Sequence, residues 1–186
     1  MEKDVLQTLT ENHAVLGWLA QRLALATPAR SRSLLFTEFS RALGAHQTVM
    51  DRTVMPGLKA CGWSGVSSDV LTGHASLKRA LAESLTLDRN EFRFEEAVRQ
   101  LVRQVQVQCE REQRQLLPVL RRCLDGEQRA MMALDAEAHM TLLLGETPHF
   151  QEAMGLTQLA ADDLIREAYV VLGSLPARAT PPQMEH

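Results

Sequence analysis

Apolar side chains recur at alternating steps of three and four through most of the chain. Leu6, Leu9, His13, Leu16, Ala20 and Leu23 form one such seam, which predicts a helix over about 4–26 packed along its length. Thr27-Pro28 ends it, because the residue before a proline is pushed out of the helical region. The seam Leu35, Phe39, Ala42, His46, Val49, Thr53, Pro56 predicts a second helix over about 31–60, bent or interrupted near the proline. A loop follows at Gly62-Trp63-Ser64-Gly65. Ser68-Asp69 offers an N-cap for a third helix over about 68–87, with Val70, His74, Leu77 and Leu81 inward. A fourth helix over about 91–124 turns Val98, Leu101, Val105, Gln108, Glu112, Leu116 and Val119 inward. Asp125-Gly126 breaks the chain before a fifth helix over about 127–144, with Met131, Leu134, Ala138 and Leu142 inward. Beyond Gly145, Leu156, Leu159, Ile165 and Val170 suggest a helical extension within 146–173, and 174–186 reads as a disordered tail.

These elements fall into two similar halves. The segment from Val54 to Cys61 (VMPGLKAC) reappears from Leu116 to Cys123 (LLPVLRRC), with proline, leucine, a basic residue and cysteine in step. Tandem helix pairs over about 4–60 and 68–124, joined by the 127–144 helix, point to an all-α fold over residues 1–145. The expected form is an antiparallel up-down four-helix bundle with additional C-terminal helices. Those extra helices either cover the bundle or join it to a second copy or another protein.

Composition agrees with this picture. A length of 186 residues suits one domain with a real core, and the 4% aromatic content leaves leucine and alanine to fill it. A net charge of −3 gives no general electrostatic case for nucleic acid. The arginines of the fourth helix alternate with glutamates, as on a solvated face. No apolar run approaches the ~20 residues of a membrane span. The first residues, Met1-Glu2-Lys3-Asp4, lack the shape of a signal peptide. Cys61, Cys109 and Cys123 are widely spaced without a Cys-x-x-Cys, so free, buried or half-buried thiols in a cytoplasmic protein are expected.

The polar residues in the seams carry the candidate chemistry. His13, His46 and His74 each occupy a core position, and Gln108 and Glu112 share one face of the fourth helix. Four antiparallel helices would bring positions 13, 46, 50, 74, 108 and 112 to a comparable depth. Imidazoles and carboxylates converging in this way can coordinate iron, manganese or zinc.

With its Pro-Leu anchors, this constellation resembles the hemerythrin-like, or HHE cation-binding, family. The likeness covers roughly residues 4–145. It implies two tandem helix pairs, each with a histidine on its first helix and a His-x-x-x-Glu on its second. It further implies non-haem iron, one or two ions, with O2 or NO as the small-molecule partner, and a metal-binding or stress-sensing role rather than an enzymatic one. His13, His46, His74 and Glu112 stand at matching ligand positions. Met50 stands where a glutamate is expected and Gln108 where a histidine is expected. A thioether suits copper(I) better than iron. Asp51 cannot replace it, since one step along a helix turns about 100°. Gln108 offers only a neutral amide oxygen, as a weak ligand or as a partner to the ligands.

Two readings of the remaining set stay open. In one, His13, His46 and Glu112 are a two-His-one-carboxylate set for a single divalent metal, with His74 as a fourth ligand. In the other, the same residues form a metal-free hydrogen-bonded core in a structural or protein-interaction module. A mononuclear-iron oxidising enzyme is a third and weaker reading. His139 lies beside the fifth-helix seam, at the surface or an interface, and His149 and His186 fall in a loop and a tail. Met131 and Met132 read as core filler. A Cys109–His nucleophile pair has no supporting motif, and the chain holds neither a Gly-rich phosphate loop nor a Gly-x-Ser-x-Gly.

Overall fold

A computed structural model describes residues 4–26, 29–62 and 68–144, all helices and short connections, with no strand among the described residues. Thr27-Pro28, most of the 62–65 loop, the extension at 146–173 with His149, and the tail with His186 lie outside them. The helices are α1 (Val5–Leu25), α2 (Ala29–Val49), α3 (Met55–Ala60), α4 (Ser68–Thr86), α5 (Phe92–Arg111), α6 (Leu117–Cys123) and α7 (Gly126–Leu144). Asp4 starts α1. Its Oδ1 accepts from the Leu6 and Gln7 amides at 2.8 and 3.2 Å, satisfying two of the donors that a helix N-terminus leaves free.

The expected second and fourth helices are each interrupted by one wide π-helical turn, Met50–Val54 and Glu112–Leu116. The cause is the repeated proline. Pro56 and Pro118 have no N–H to donate, and their rings crowd the carbonyl four residues back. The chain relieves this by widening: Met55 N–H bonds to Met50 O, and Leu117 N–H to Glu112 O, both five residues back. The interruption expected near Pro56 therefore lies just before it. A second one, not expected, breaks the fourth helix. The extra residue in the wide turn shifts the seam, so Pro56 is exposed rather than inward, while Val54 and Leu58 are buried.

Packing joins α1 to α2 and α4 to α5, and α7 lies against both α1 and α2. Two apolar clusters result. One gathers Leu16, Leu19, Phe36, Phe39, Phe94 and Leu101, with Phe36 and Phe94 edge to face at 5.0 Å. The other gathers Val5, Leu9, Met50, Val54, Leu116 and Leu120. Along α1 the order is Leu9, His13, Leu16. Along α2 it is Leu43, His46, Val49. The same polar step separates the two clusters on each helix.

The inward face expected for the fifth helix is wrong. Met131, Leu134 and Leu142 are 66%, 69% and 81% exposed, and Ala138 is also exposed. Ala133, Ala136 and Leu144 are buried instead, with Met132 and Met140 packed against the core. Apolar side chains surround α7, so periodicity could not choose a face. Polar anchors choose it. Arg129 reaches Asp4 at 3.1 Å, Thr53 donates to Asp135 at 2.5 Å, and Arg41 bonds the Leu144 carbonyl at 2.9 Å. Gly57 adds to this, since a Cβ there would fall 2.9 Å from the Met132 thioether.

Asp4 thus both caps α1 and anchors α7. Asp4→Ala is expected to lower stability by about 1 kcal/mol or somewhat more, as for other N-caps. An unchanged urea midpoint at unchanged slope would contradict this role.

Candidate metal centre

The polar step between the two apolar clusters is where the expected site residues meet. α1 supplies His13, α2 His46, α4 His74 and α5 Gln108, and Glu112 opens the second π-turn. All five are buried, and Glu112 is 0% exposed. Each sits at a seam position, so the packing that buries the leucines carries these groups inward with them.

Glu112 is the hub. Its Oε2 lies 2.9 Å from His13 Nε2 and 3.2 Å from His46 Nε2. Its Oε1 lies 3.1 Å from His74 Nε2 and accepts from Gln108 Nε2 at 2.9 Å. Gln108 Nε2 also donates to the Val70 carbonyl at 3.2 Å. The rings of His46 and His74 are stacked at 6.1 Å, and His13 lies tilted 5.2 Å from His46.

Not all of these contacts are hydrogen bonds. His13 Nε2 is aligned with the carboxylate, whereas His46 Nε2 and His74 Nε2 are near it but have no hydrogen-bond partner. His46 is the more telling. Its Nδ1 lies 2.7 Å from Asn12 Oδ1, an acceptor, so Nδ1 carries the proton. In the neutral ring Nε2 is then a bare lone pair facing a carboxylate oxygen, a repulsive pairing unless a cation or a proton lies between. The nitrogens and oxygens of His13, His46 and Glu112 that could act as ligands all lie within 4.8 Å of one another. Donors bound to one ion at roughly 2.1 Å are about 3.0–3.4 Å apart in octahedral or tetrahedral geometry. The 3.2 Å between His46 Nε2 and Glu112 Oε2 falls in that range, while the 2.9 Å from His13 Nε2 is that of a hydrogen bond.

The electrostatics are those of a compensated buried anion. Burial pushes the Glu112 carboxyl up, but the charge of His46 and the close nitrogens of His13, His46 and His74 outweigh it and hold it well below the usual carboxylate range. Burial, with the Glu112 charge second, pushes the Cys109 thiol well up. Cys109 therefore stays a thiol at neutral pH, as a buried apolar filler would, and is no nucleophile.

The two departures from the full ligand pattern have different fates. Met50 is 0% exposed and belongs to the apolar cluster around Leu9 and Val54. Asp51 faces outward, pairing with Lys78 at 2.5 Å. Gln108 takes part directly, through its bond to Glu112. His139 is part-exposed, 3.8 Å from Asp135 on its own helix, and has no place among the five. The three cysteines are free, Cys109 buried and the others half-buried.

Asn12 was missed. It fixes the His46 tautomer while its amide nitrogen lies 3.6 Å from Met140 Sδ. A signal was present: Val5, Leu9, Asn12, Leu16, Leu19 and Leu23 make a second seam on α1, and all six are buried. Gly73 was missed as well. A Cβ there would fall 1.8 Å from Gln108 Oε1, so only glycine leaves room for that amide. Comparison of the chain with known protein families, curated proteins and solved structures finds no match.

The lowered Glu112 pKa makes stability pH-dependent. A folded value below the unfolded one of about 4.3 contributes stability that is present above that pH and is lost as pH falls toward the folded value. Wild type should therefore exceed Glu112→Gln in stability near neutral pH, and the gap should close on acidification below about pH 4. A urea-midpoint difference that stays constant over that range would contradict the compensated carboxylate.

Proposed function

We propose that this chain is a hemerythrin-like metal-binding protein with a reduced ligand set, holding one divalent metal between His13, His46 and Glu112. The observation that carries the reading is the buried His46 Nε2, which has no hydrogen-bond partner and is held 3.2 Å from Glu112 Oε2 by the Asn12 contact on the other ring nitrogen. His74 is the fourth donor available to the ion. The bundle on this reading is a four-helix one, formed by α1, by α2 with its π-turn and α3, by α4, and by α5 with its π-turn and α6, with α7 laid across the first pair.

The donor set is two imidazoles and a carboxylate, which suits iron(II), manganese or zinc. With iron it would supply an open-coordinate centre for O2 or NO, and a sensing role fits better than turnover. A second ion lacks support. Gln108 already occupies Glu112 Oε1, and Met50 turns an apolar side chain into the opposite cluster where a second bridging carboxylate would be required.

One observation favours a metal-free reading. His13 and Gln108 already hydrogen-bond the two Glu112 oxygens, so a protonated His46 could complete the pairing without an ion. The protein would then be a structural or interaction module. Elemental analysis of untagged protein after anaerobic iron loading separates the two. About one metal per chain is expected, strongly reduced in His46→Ala, about tenfold weaker in affinity in Asn12→Ala, and unchanged in His139→Ala. No metal in wild type would establish the metal-free reading, and equal loss in His46→Ala and His139→Ala would overturn the ligand assignment.

A further inference from the structure

Four of the large apolar side chains exposed among the described residues belong to one helix: Met131, Leu134, Leu142 and Leu143 of α7. The others, such as Leu25, Leu71 and Phe92, are divided among α1, α2, α4 and α5. On α7 they fall in line. Met131, Leu134, Ala138 and Leu142 follow steps of three and four, so they form one stripe on the side opposite the buried Ala133, Ala136 and Leu144. Met131 and Leu142 are eleven residues apart, roughly 16 Å by the helical rise. Single exposed leucines are ordinary, but an aligned apolar stripe on a surface helix marks a contact.

The chain continues from the end of this helix, and residues 161–172 lie outside the described residues. Their sequence carries a matching stripe. Ala161, Leu164, Ala168 and Val171 recur at steps of three and four, with Ile165 and Leu172 beside them. Asp162, Asp163, Arg166 and Glu167 fall off that face. Ala161 and Leu172 are again eleven residues apart. A segment this short gains helical order mainly by burying its apolar face against something else. Residues 145–160 join it to α7, a connection long enough to cross the about 8–10 Å between packed helices several times over.

We propose that residues 161–172 dock as a helix along the exposed stripe of α7, antiparallel to it. Ala161 then lies beside Leu142, Ile165 beside Ala138, Ala168 beside Leu134 and Leu172 beside Met131. The first three pairs each set a large side chain against a small one, the alternation that lets two helices interdigitate. The tether selects this occupant. A segment of the same chain meets α7 at an effective concentration on the order of 1 mM, which a second copy in dilute solution does not reach. The docking does not depend on a metal at Glu112.

The test is hydroxyl-radical footprinting of the full chain, read by mass spectrometry at Met131. Docking shields that thioether, so its oxidation should rise at least about threefold in Ile165→Asp combined with Leu172→Asp, whose charges resist burial against the stripe. Met50, with no exposure, should stay unoxidised in both proteins and so report an intact bundle. The reciprocal variant is Leu134→Asp combined with Leu142→Asp, at positions 69% and 81% exposed. It should speed amide exchange within 161–172 at least about tenfold while leaving α1 and α5 unchanged. Equal Met131 oxidation in wild type and the 165/172 variant would overturn the proposal, as would unchanged exchange of 161–172 in the 134/142 variant. Met131 shielding that appears only as protein concentration rises would also overturn it, by giving the stripe to a second copy.

Discussion

A carboxylate with no exposure to water governs this molecule. An isolated buried charge costs several kcal/mol, so Glu112 cannot sit where it does unless the surrounding helices supply compensation. They do so from every side: His13 from α1, His46 from α2, His74 from α4 and Gln108 from one turn earlier on its own helix. The packing of four helix segments is thereby tied to one point. A register slip of any of them would remove a partner from the anion, a penalty that leucine-on-leucine contacts alone would not impose.

The backbone is adapted at the same point. Both wide turns begin at the position four residues after the second-helix donor of their half, at Met50 after His46 and at Glu112 after Gln108, and both are followed by a proline. The proline forces the widening, and the widening changes which side chains beyond it face the core. In the second half it accompanies the buried carboxylate of Glu112. In the first half the same backbone device is kept around a methionine that packs in an apolar cluster. The two halves thus share a backbone device but not the side chain that opens it, a methionine in one and a glutamate in the other.

Much of this was legible in the chain, for reasons that differ by element. The seam of α1 was readable because its polar and apolar residues separate cleanly by period, and every residue assigned to that seam is buried. The histidines, Gln108 and Glu112 were readable because a polar group on an otherwise apolar seam has to be inside. The inward face of α7 was not readable, since apolar residues surround that helix and its orientation comes from Arg129, Asp135 and Arg41 contacts between distant segments. Nor were the wide turns, because a proline announces a fault in a helix without saying whether the chain will kink, break or widen. Asn12 and Gly73 escaped because their roles exist only against a partner on another helix, the His46 ring and the Gln108 amide.

We propose that Glu112 and the imidazoles around it form a seat for one cation rather than a self-sufficient hydrogen-bonded core. Anomalous diffraction from crystals soaked in cobalt(II) tests it most directly. One strong peak within about 2.0–2.2 Å of His13 Nε2, His46 Nε2 and a Glu112 oxygen is the expected result. Peaks confined to the surface, with the His13–Glu112 contact still at 2.9 Å, would contradict it.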